Sequence, residues 1–348
     1  MTHLSSEHQK IRRLAVRLPN WLGDICFSQP AIAALRRALP QAHLVGAAPQ
    51  GLTQLLDCFE LFDSVVALPT ALLSRAAALR KQRLDAIVLL PNSFASALEA
   101  VLAAAALRIG FAGEGRSILL THSPRRPREI AGRRVHQVDE YLALVRAMGI
   151  SAEPVPPRLK PQTAQLEAAR RLLGEAGFAS GAFLLAICPG AAFGPSKCWP
   201  AERFAALAER IAQDRGAAIV LIGGAADRAI CAAVADQLRC PAVNLCGRTD
   251  LGTLAGLLSL ADLVLANDSG AYHLAIGLGT RAIGFYGPTD PVRTGPSGWN
   301  GVALHASLPC MPCYLRVCPL PRHRCMEDVS VAIALAAAQR LLGRNGAA

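Results

Sequence analysis

The chain has 348 residues, about half of them apolar, which is more than one ordinary core holds and points to two globular domains rather than a disordered segment. No run reaches the roughly 18 apolar residues of a membrane span, and the polar start, Met1 to Lys10, lacks the apolar stretch of a secretory signal, so a cytosolic protein is expected. The net charge of +11 rests on arginine, since lysine occurs only as Lys10, Lys81, Lys160 and Lys197; it suits anionic partners or a well-solvated surface, and by itself decides nothing.

In chain order, apolar runs at 13–18, 43–47, 64–67 and 85–90 read as buried strands. Amphipathic segments at 28–38, 70–83 and 93–105 read as the helices between them. Strands that alternate with helices imply a parallel, doubly wound α/β sheet. The pattern lapses into a Gly/Arg/Pro-rich loop at 110–134, and a helix follows at 136–148, closed by Gly149. The stretch 151–162 carries Pro154, Pro156, Pro157 and Pro161, the composition of a stiff connector.

After it the alternation restarts. Strands are expected at 183–188, 217–222, 242–245, 263–266 and 282–285, with helices at 201–214, 226–238, 251–260 and 271–278. A last helix runs from about 329 to 342, with Asp328 to cap its start and Gly343 ending it. The expected organisation is a first Rossmann-like domain at 11–150, a linker at 151–165, a second Rossmann-like domain at 166–327 and a terminal helix at 328–344. Ligands of such sheets sit at the carboxyl ends of the strands, so the loops found there are the ones to read.

Pro19-Asn20-Trp21-Leu22-Gly23-Asp24 follows the first strand. Gly23 permits close backbone approach, and Asp24, just ahead of the helix, either caps its amides or takes a proton from a bound hydroxyl. The second domain opens on Pro189-Gly190-Ala191-Ala192-Phe193-Gly194-Pro195-Ser196-Lys197, then Trp199-Pro200. Its glycines expose backbone N–H groups beside one of four lysines, which suits a diphosphate. Asn267-Asp268-Ser269-Gly270, with His273, leaves a helix N-terminus uncrowded for an anion. Asp268 is a candidate for ribose or sugar hydroxyls; His273 either donates to a phosphate or is a satisfied core histidine. Gly223-Gly224-Ala225-Ala226-Asp227, Gly247-Arg248-Thr249 and Tyr286-Gly287-Pro288-Thr289 are weaker singly, but fall at successive strand ends of one domain.

Absences narrow the chemistry. The sequence holds no Asp-x-Asp metal–diphosphate clamp and no Gly-x-x-x-x-Gly-Lys-Ser/Thr phosphate loop. Its Gly-x-Gly-x-x-Ala, at Gly277, Gly279 and Ala282, precedes a strand instead of following one, so a nicotinamide oxidoreductase is not expected.

Taken in order, these motifs resemble the ADP-heptose:lipopolysaccharide heptosyltransferases, glycosyltransferase family 9, and the heptosyltransferase II branch in particular. Leu90-Pro91-Asn92-Ser93-Phe94 and Arg108-Ile109-Gly110-Phe111 add to the likeness, which spans roughly residues 12–342. The resemblance implies a GT-B fold: two Rossmann-like domains facing across a cleft, with the C-terminal helix returning to the first. It implies an inverting, metal-independent transferase without a cofactor that carries heptose from ADP-heptose to a lipid A–core oligosaccharide. That activity belongs at the inner face of the inner membrane, peripherally bound, with no role for nucleic acid. By position, Asp24 takes the role of general base and Lys197 that of stabilising the departing diphosphate. Asn20, Gly23, Asn92 and Ser93 fall to the acceptor; Gly190, Ser196, Asp227, Thr249, Asp268, Ser269, Gly270 and His273 fall to the donor, Asp227 at the ribose. Cys198 departs from the pattern, which has a longer, often basic residue there. Alternatives within the fold are a family 9 transferase with another acceptor or nucleotide sugar, or a non-catalytic nucleotide-sugar binder, which would keep the donor loops and lose the base.

Two clusters stay open. Cys310, Cys313, Cys318 and Cys325 in a Pro-rich segment are either buried free thiols or a structural metal site. Arg116, Arg125, Arg126, Arg128, Arg133 and Arg134 crowd one loop, which either meets acceptor phosphates or an anionic membrane, or is only solvated.

Overall fold

The computed structural model describes residues 10–130, 133–179 and 181–343, and divides between Lys160 and Pro161 into two units. The first holds β1 (Arg13–Arg17), α1 (Leu22–Ala38), β2 (His43–Pro49), β3 (Ser64–Leu68), α2 (Leu72–Arg80), β4 (Ala86–Leu89), α3 (Phe94–Leu102) and β5 (Leu107–Gly110), then a short β6 (Glu129–Ile130)–β7 (Arg133–Arg134) pair and α4 (Gln137–Ala147). The sheet order is β3-β2-β1-β4-β5, with every pairing parallel. Leu14, Ala15 and Val16 in β1 and the whole of β4 are buried, as strands covered on both faces must be, which is why they read as continuous apolar runs.

Three features of this unit depart from the sequence expectation. First, α1 begins at Leu22, six residues early, so Asp24 lies in its first turn instead of ahead of it. Second, β5 forms at 107–110, just ahead of the loop at 110–134, where no strand was expected. Third, the Pro-rich stretch is no free connector: the Arg158 amide donates to Gln29 Oε1 at 3.1 Å and the Lys160 amide to the Cys58 carbonyl at 2.9 Å, tying it along the first unit.

The second unit holds α5 (Thr163–Glu175), β8 (Leu184–Cys188), α6 (Ala201–Arg215), β9 (Ala218–Leu221), α7 (Arg228–Gln237), β10 (Ala242–Asn244), α8 (Leu251–Leu260), β11 (Leu263–Asn267), α9 (Gly270–Gly277), β12 (Ala282–Tyr286), α10 (Pro291–Thr294), β13 (Gly301–His305), α11 (Arg324–Glu327) and α12 (Val331–Gly343). Its parallel sheet has the order β10-β9-β8-β11-β12-β13. The core centres on Trp199, stacked on Phe285 at 3.9 Å between ring centroids, with Phe204 edge-on to both. The terminal helix α12 packs on α6, β12 and β13 of this unit. Ser330, not Asp328, caps it: the Ile333 amide donates to Ser330 Oγ, while Asp328 ends α11 and pairs with Arg324.

In each sheet the strand order reverses at one place, between β1 and β4 in the first and between β8 and β11 in the second. Loops after such strands part to opposite faces and leave a crevice. The main motifs follow these four strands.

Candidate functional site

In the second unit the crevice is built around one carboxylate. Asp268, 3% exposed, accepts from Lys197 Nζ at 2.6 Å and Thr289 Oγ1 at 2.5 Å on Oδ2, and from His273 Nε2 at 3.0 Å on Oδ1. Burial alone would raise its pKa. The His273 hydrogen bond and the Lys197 charge together outweigh burial and hold the group well below the usual carboxylate range. Lys197 also donates to the Asp268 carbonyl at 3.1 Å and lies 5.1 Å from the centre of the Phe193 ring. Two of its three protons are thus committed and one remains. Ser269, at the N-cap of α9, has a buried hydroxyl with no partner, and beside it the first turn of α9 presents unpaired amides.

The loop that carries Lys197 is held from two sides. Asn267 Nδ2 donates to the Pro189 carbonyl at 2.6 Å, and the Trp199 amide donates to Asn267 Oδ1 at 2.9 Å. Ser196 spends its proton on the Leu315 carbonyl at 2.6 Å, and its amide donates to the Arg316 carbonyl. That carbonyl lies against Gly194, whose φ of 147° and lack of a side chain permit the approach. Asp227 accepts from the Gly224 amide at 2.8 Å on Oδ2, and its carboxylate fills the space a Cβ at Gly190 would need. Gly190, Ser196, Lys197, Asp268, Ser269, Gly270 and His273 are therefore drawn together at the β8 and β11 loops, with Asp227 beside Gly190. Thr249 stands apart, beyond edge strand β10, two strands from β8. A cavity of about 720 Å³ lies at the opposite edge, at the starts of β9 and β10; alanines and glycines make up most of its lining, and it carries no comparable cluster.

Asp268 is the keystone of this arrangement, and a first prediction follows. With Asp268→Asn, Lys197 becomes a largely buried cation without its counter-charge, and denaturant unfolding should show a loss of about 3 kcal/mol. Because the folded-state pKa of Asp268 is depressed, its contribution is complete above the unfolded carboxylate range near pH 4 and fades as pH falls below it. The variant should therefore lose less stability than the wild type between pH 5 and pH 3, values chosen to bracket that range.

In the first unit, the loops after β1 and β4 carry Asn20, Gly23 and Asp24, and Asn92 and Ser93. Asp24 is partly exposed in the first turn of α1. Ser93 caps α3, accepting from the Ser96 amide at 3.3 Å. Below these residues lies a buried charge triad that sequence reading missed. Glu99, 1% exposed, accepts from Arg17 Nε at 3.3 Å and Arg75 Nε at 2.5 Å. Arg17 Nη2 then donates to Asn20 Oδ1 at 3.0 Å. Arg17, Arg75, Glu99, Asn20, Thr70 and Ser93 line a cavity of about 430 Å³ that holds two cations for one anion. Burial lowers the pKa of Arg17 from its ordinary value, with Glu99 pulling the other way. Its signal in the sequence is an arginine within the apolar run 14–18, and for Glu99 an acid on the inner face of a helix.

A family model, glycosyltransferase family 9 (heptosyltransferase), matches residues 72–323. The chain belongs to glycosyltransferase family 9. It is 32% identical over 303 residues to lipopolysaccharide heptosyltransferase 2 of Escherichia coli K12, covering 80% of this chain and 83% of that protein. It is 30% identical over 301 residues to lipooligosaccharide heptosyltransferase 2 of Haemophilus influenzae, covering 80% and 84%. The solved E. coli ADP-heptose lps heptosyltransferase II superposes with a TM-score of 0.78 at 25% identity, over 95% of this chain and 98% of that one. The family 9 glycosyltransferase of Veillonella parvula superposes with a TM-score of 0.82 at 22% identity, over 95% and 97%. The fold of this family 9 transferase is of the GT-B class, and the chain is an enzyme that transfers a glycosyl group.

The two open clusters resolve differently in the transferase. Arg116 is not a surface residue: it is fully buried, donating from Nη1 to the Pro91 carbonyl at 2.5 Å and the Ser93 carbonyl at 3.4 Å, on either side of Asn92. Burial pulls its pKa down to about 10. Arg126 makes a two-point pair with Glu140 of α4, at 2.7 and 3.0 Å. Arg125, Arg128 and Arg134 are exposed; the Arg133 side chain lies outside the described residues, as does the polar start, residues 1–9. The Cys310, Cys313, Cys318 and Cys325 thiols are free. Burial, then its neighbours Cys318, Cys310 and Cys313, push the Cys325 thiol up to about 11. Among the described residues no three His, Cys, Asp or Glu side chains are arranged to hold a metal ion. The segment between these cysteines instead supplies the Leu315 and Arg316 carbonyls that tether the Lys197 loop, and the Arg316 guanidinium lies 5.4 Å from the centre of the Phe193 ring.

Proposed function

We propose that the transferase moves an L-glycero-D-manno-heptose unit from its ADP ester to the inner core of lipopolysaccharide, with inversion and without a metal ion, at the inner face of the inner membrane. The observation that carries this reading is the Lys197–Asp268 pair beside the open N-terminus of α9 and the unpartnered Ser269 hydroxyl. It is an anion site made from protein groups alone. The names of the relatives supply the sugar and the acceptor class.

In this reading the second unit holds the donor. Asp227 keeps Oδ1 for the ribose hydroxyls, while Gly190 and Gly270 let the diphosphate come close to backbone amides. Ser196 and His273 act indirectly: one tethers the loop and the other, through Asp268, fixes the ammonium. Thr249 and Gly247 border the adenosine side. In the first unit Asn20, Gly23, Asn92 and Ser93 border the acceptor. The step is a single displacement at the anomeric carbon: the acceptor oxygen forms a bond to C1, the C1–phosphate oxygen bond breaks, and the acceptor proton passes to the Asp24 carboxylate. The electron pair leaves on ADP, where Lys197, Ser269 and the α9 amides meet it.

The triad cavity gives the acceptor side a surplus positive charge, so an anionic sugar substituent fits it. Arg75→Gln should raise acceptor KM about tenfold, the loss of one charge-assisted hydrogen bond, and leave donor KM unchanged; steady-state ADP release checks both. The reading as a whole is tested by offering ADP-heptose, ADP-glucose and UDP-glucose with heptose-deficient lipopolysaccharide, and assigning the product's anomeric configuration by NMR. Turnover of ADP-heptose with inversion is expected. Preference for another nucleotide sugar, or donor binding without turnover, would sink it.

A further inference from the structure

The carboxyl edge of the first sheet carries a second feature that the transfer reaction does not use. Large apolar side chains stand out to solvent where the chain leaves four of its strands: Leu73 in the first turn of α2 after β3 (72% exposed), Trp21 ahead of α1 after β1 (52%), Phe94 at the start of α3 after β4 (44%) and Ile118 after β5 (85%). One exposed leucine means little, since folded surfaces are more than half apolar. Four such side chains, one after each of four strands on a single edge, form a pattern that marks contact with something apolar.

Charge accompanies them. The segment after Ile118 runs parallel to β5, with Ile109 bridged to His122 and the Ala112 amide donating to the Pro124 carbonyl. Arg125 and Arg128 therefore emerge beyond the carboxyl end of β5, on the same edge, and both are exposed. Residues 111–134 hold six arginines against Glu114 and Glu129, and only Arg116 of the six is buried among those described.

We propose that this edge of the first unit is a membrane-docking face for an anionic bilayer. Leu73, Trp21, Phe94 and Ile118 enter the headgroup layer, and Arg125 and Arg128 meet lipid phosphates. The apolar groups stand singly on separate segments, whereas a protein partner needs a complementary, continuous surface. A fluid lipid surface demands none, and an interfacial tryptophan beside arginines is the composition that such a surface favours. The inference rests on the reading that the acceptor is lipid-anchored, and it brings the acceptor-side loops to the layer where such a lipid lies.

The test is co-sedimentation of the full chain with vesicles of phosphatidylethanolamine and phosphatidylglycerol, and with vesicles of phosphatidylcholine alone. The wild type should pellet with the anionic vesicles and be released by raised salt. L73S combined with I118S should weaken that binding about tenfold or more, while its ADP release with a soluble, deacylated acceptor stays at the wild-type level. R125S combined with R128S should remove most of the salt dependence. Wild type that ignores anionic vesicles, or variants that bind as it does, would overturn the proposal. Failure of the heptosyl reading looks different: no form releases ADP with the soluble acceptor, whatever the vesicles show.

Discussion

Lys197→Met is expected to lower kcat for ADP release by about 10²–10³-fold, the cost of removing one preorganised donor from a developing oxyanion. The ammonium is anchored at 2.6 Å by Asp268 and keeps a proton for the leaving phosphate. A lysine 4 Å from a phosphate oxygen supplies at most about 4 kcal/mol at an effective dielectric of 20, and Asp268 takes part of that back. Most of the effect belongs in kcat, because charge on the bridging oxygen grows only as the bond breaks. Lys197→Arg should not rescue it: a planar guanidinium on a longer stem cannot reproduce the compact ammonium that donates at once to Asp268 Oδ2 and the Asp268 backbone carbonyl. Because Lys197→Met also takes the ammonium away from the buried Asp268 carboxylate, the chain should lose stability. Combining it with Asp268→Asn should restore part of the stability and none of the rate. That split separates a catalytic lysine from a merely structural one, and a kcat within tenfold of wild type would remove Lys197 from the chemistry.

The second large effect is expected at Asp24. Asp24→Asn keeps the shape and most hydrogen bonds but cannot accept the acceptor's proton, so kcat should fall by about 10²–10⁴-fold. Donor KM should hold, since the groups proposed to bind the donor are all in the second unit, and acceptor KM should move by a few-fold only. Asp24 stands in the first turn of α1, partly exposed. A large rise in acceptor KM with unchanged kcat would instead make Asp24 a binding group.

The fold was legible where strands are buried on both faces. In β1, β2, β4, β8, β11 and β12 both faces are covered, so composition alone marks them. It was illegible at two of the sheet edges, β5 and β13, while the edge strands β3 and β10 were readable. In β5, Leu107-Arg108-Ile109-Gly110 has two apolar residues in four, and β13, Gly301–His305, is only half-buried; an edge strand need not read as apolar. The early start of α1 was hidden by Gly23, which reads as a turn residue yet is buried in the first turn. At the site, the order of the loops was readable, because parallel α/β topology puts every βα loop on one edge. What each side chain does there was not. Asp268 and His273 carry the polar signature of ligands, yet they are spent on holding Lys197. Arg17 and Glu99 are 82 positions apart, and only the adjacency of β1 and β4 brings them together. Thr289 likewise reaches Asp268 from the loop of the neighbouring strand.

The measurement that bears most directly on metal-free heptosyl transfer is the initial rate of ADP release from ADP-heptose with heptose-deficient lipopolysaccharide, before and after exhaustive treatment with EDTA. The same rate in both, dependent on the acceptor, is the expected result, because Lys197, Ser269 and the α9 amides meet the leaving diphosphate without help. A rate that collapses in EDTA and returns with added divalent cation would contradict the account and move the leaving-group chemistry from these residues to a metal.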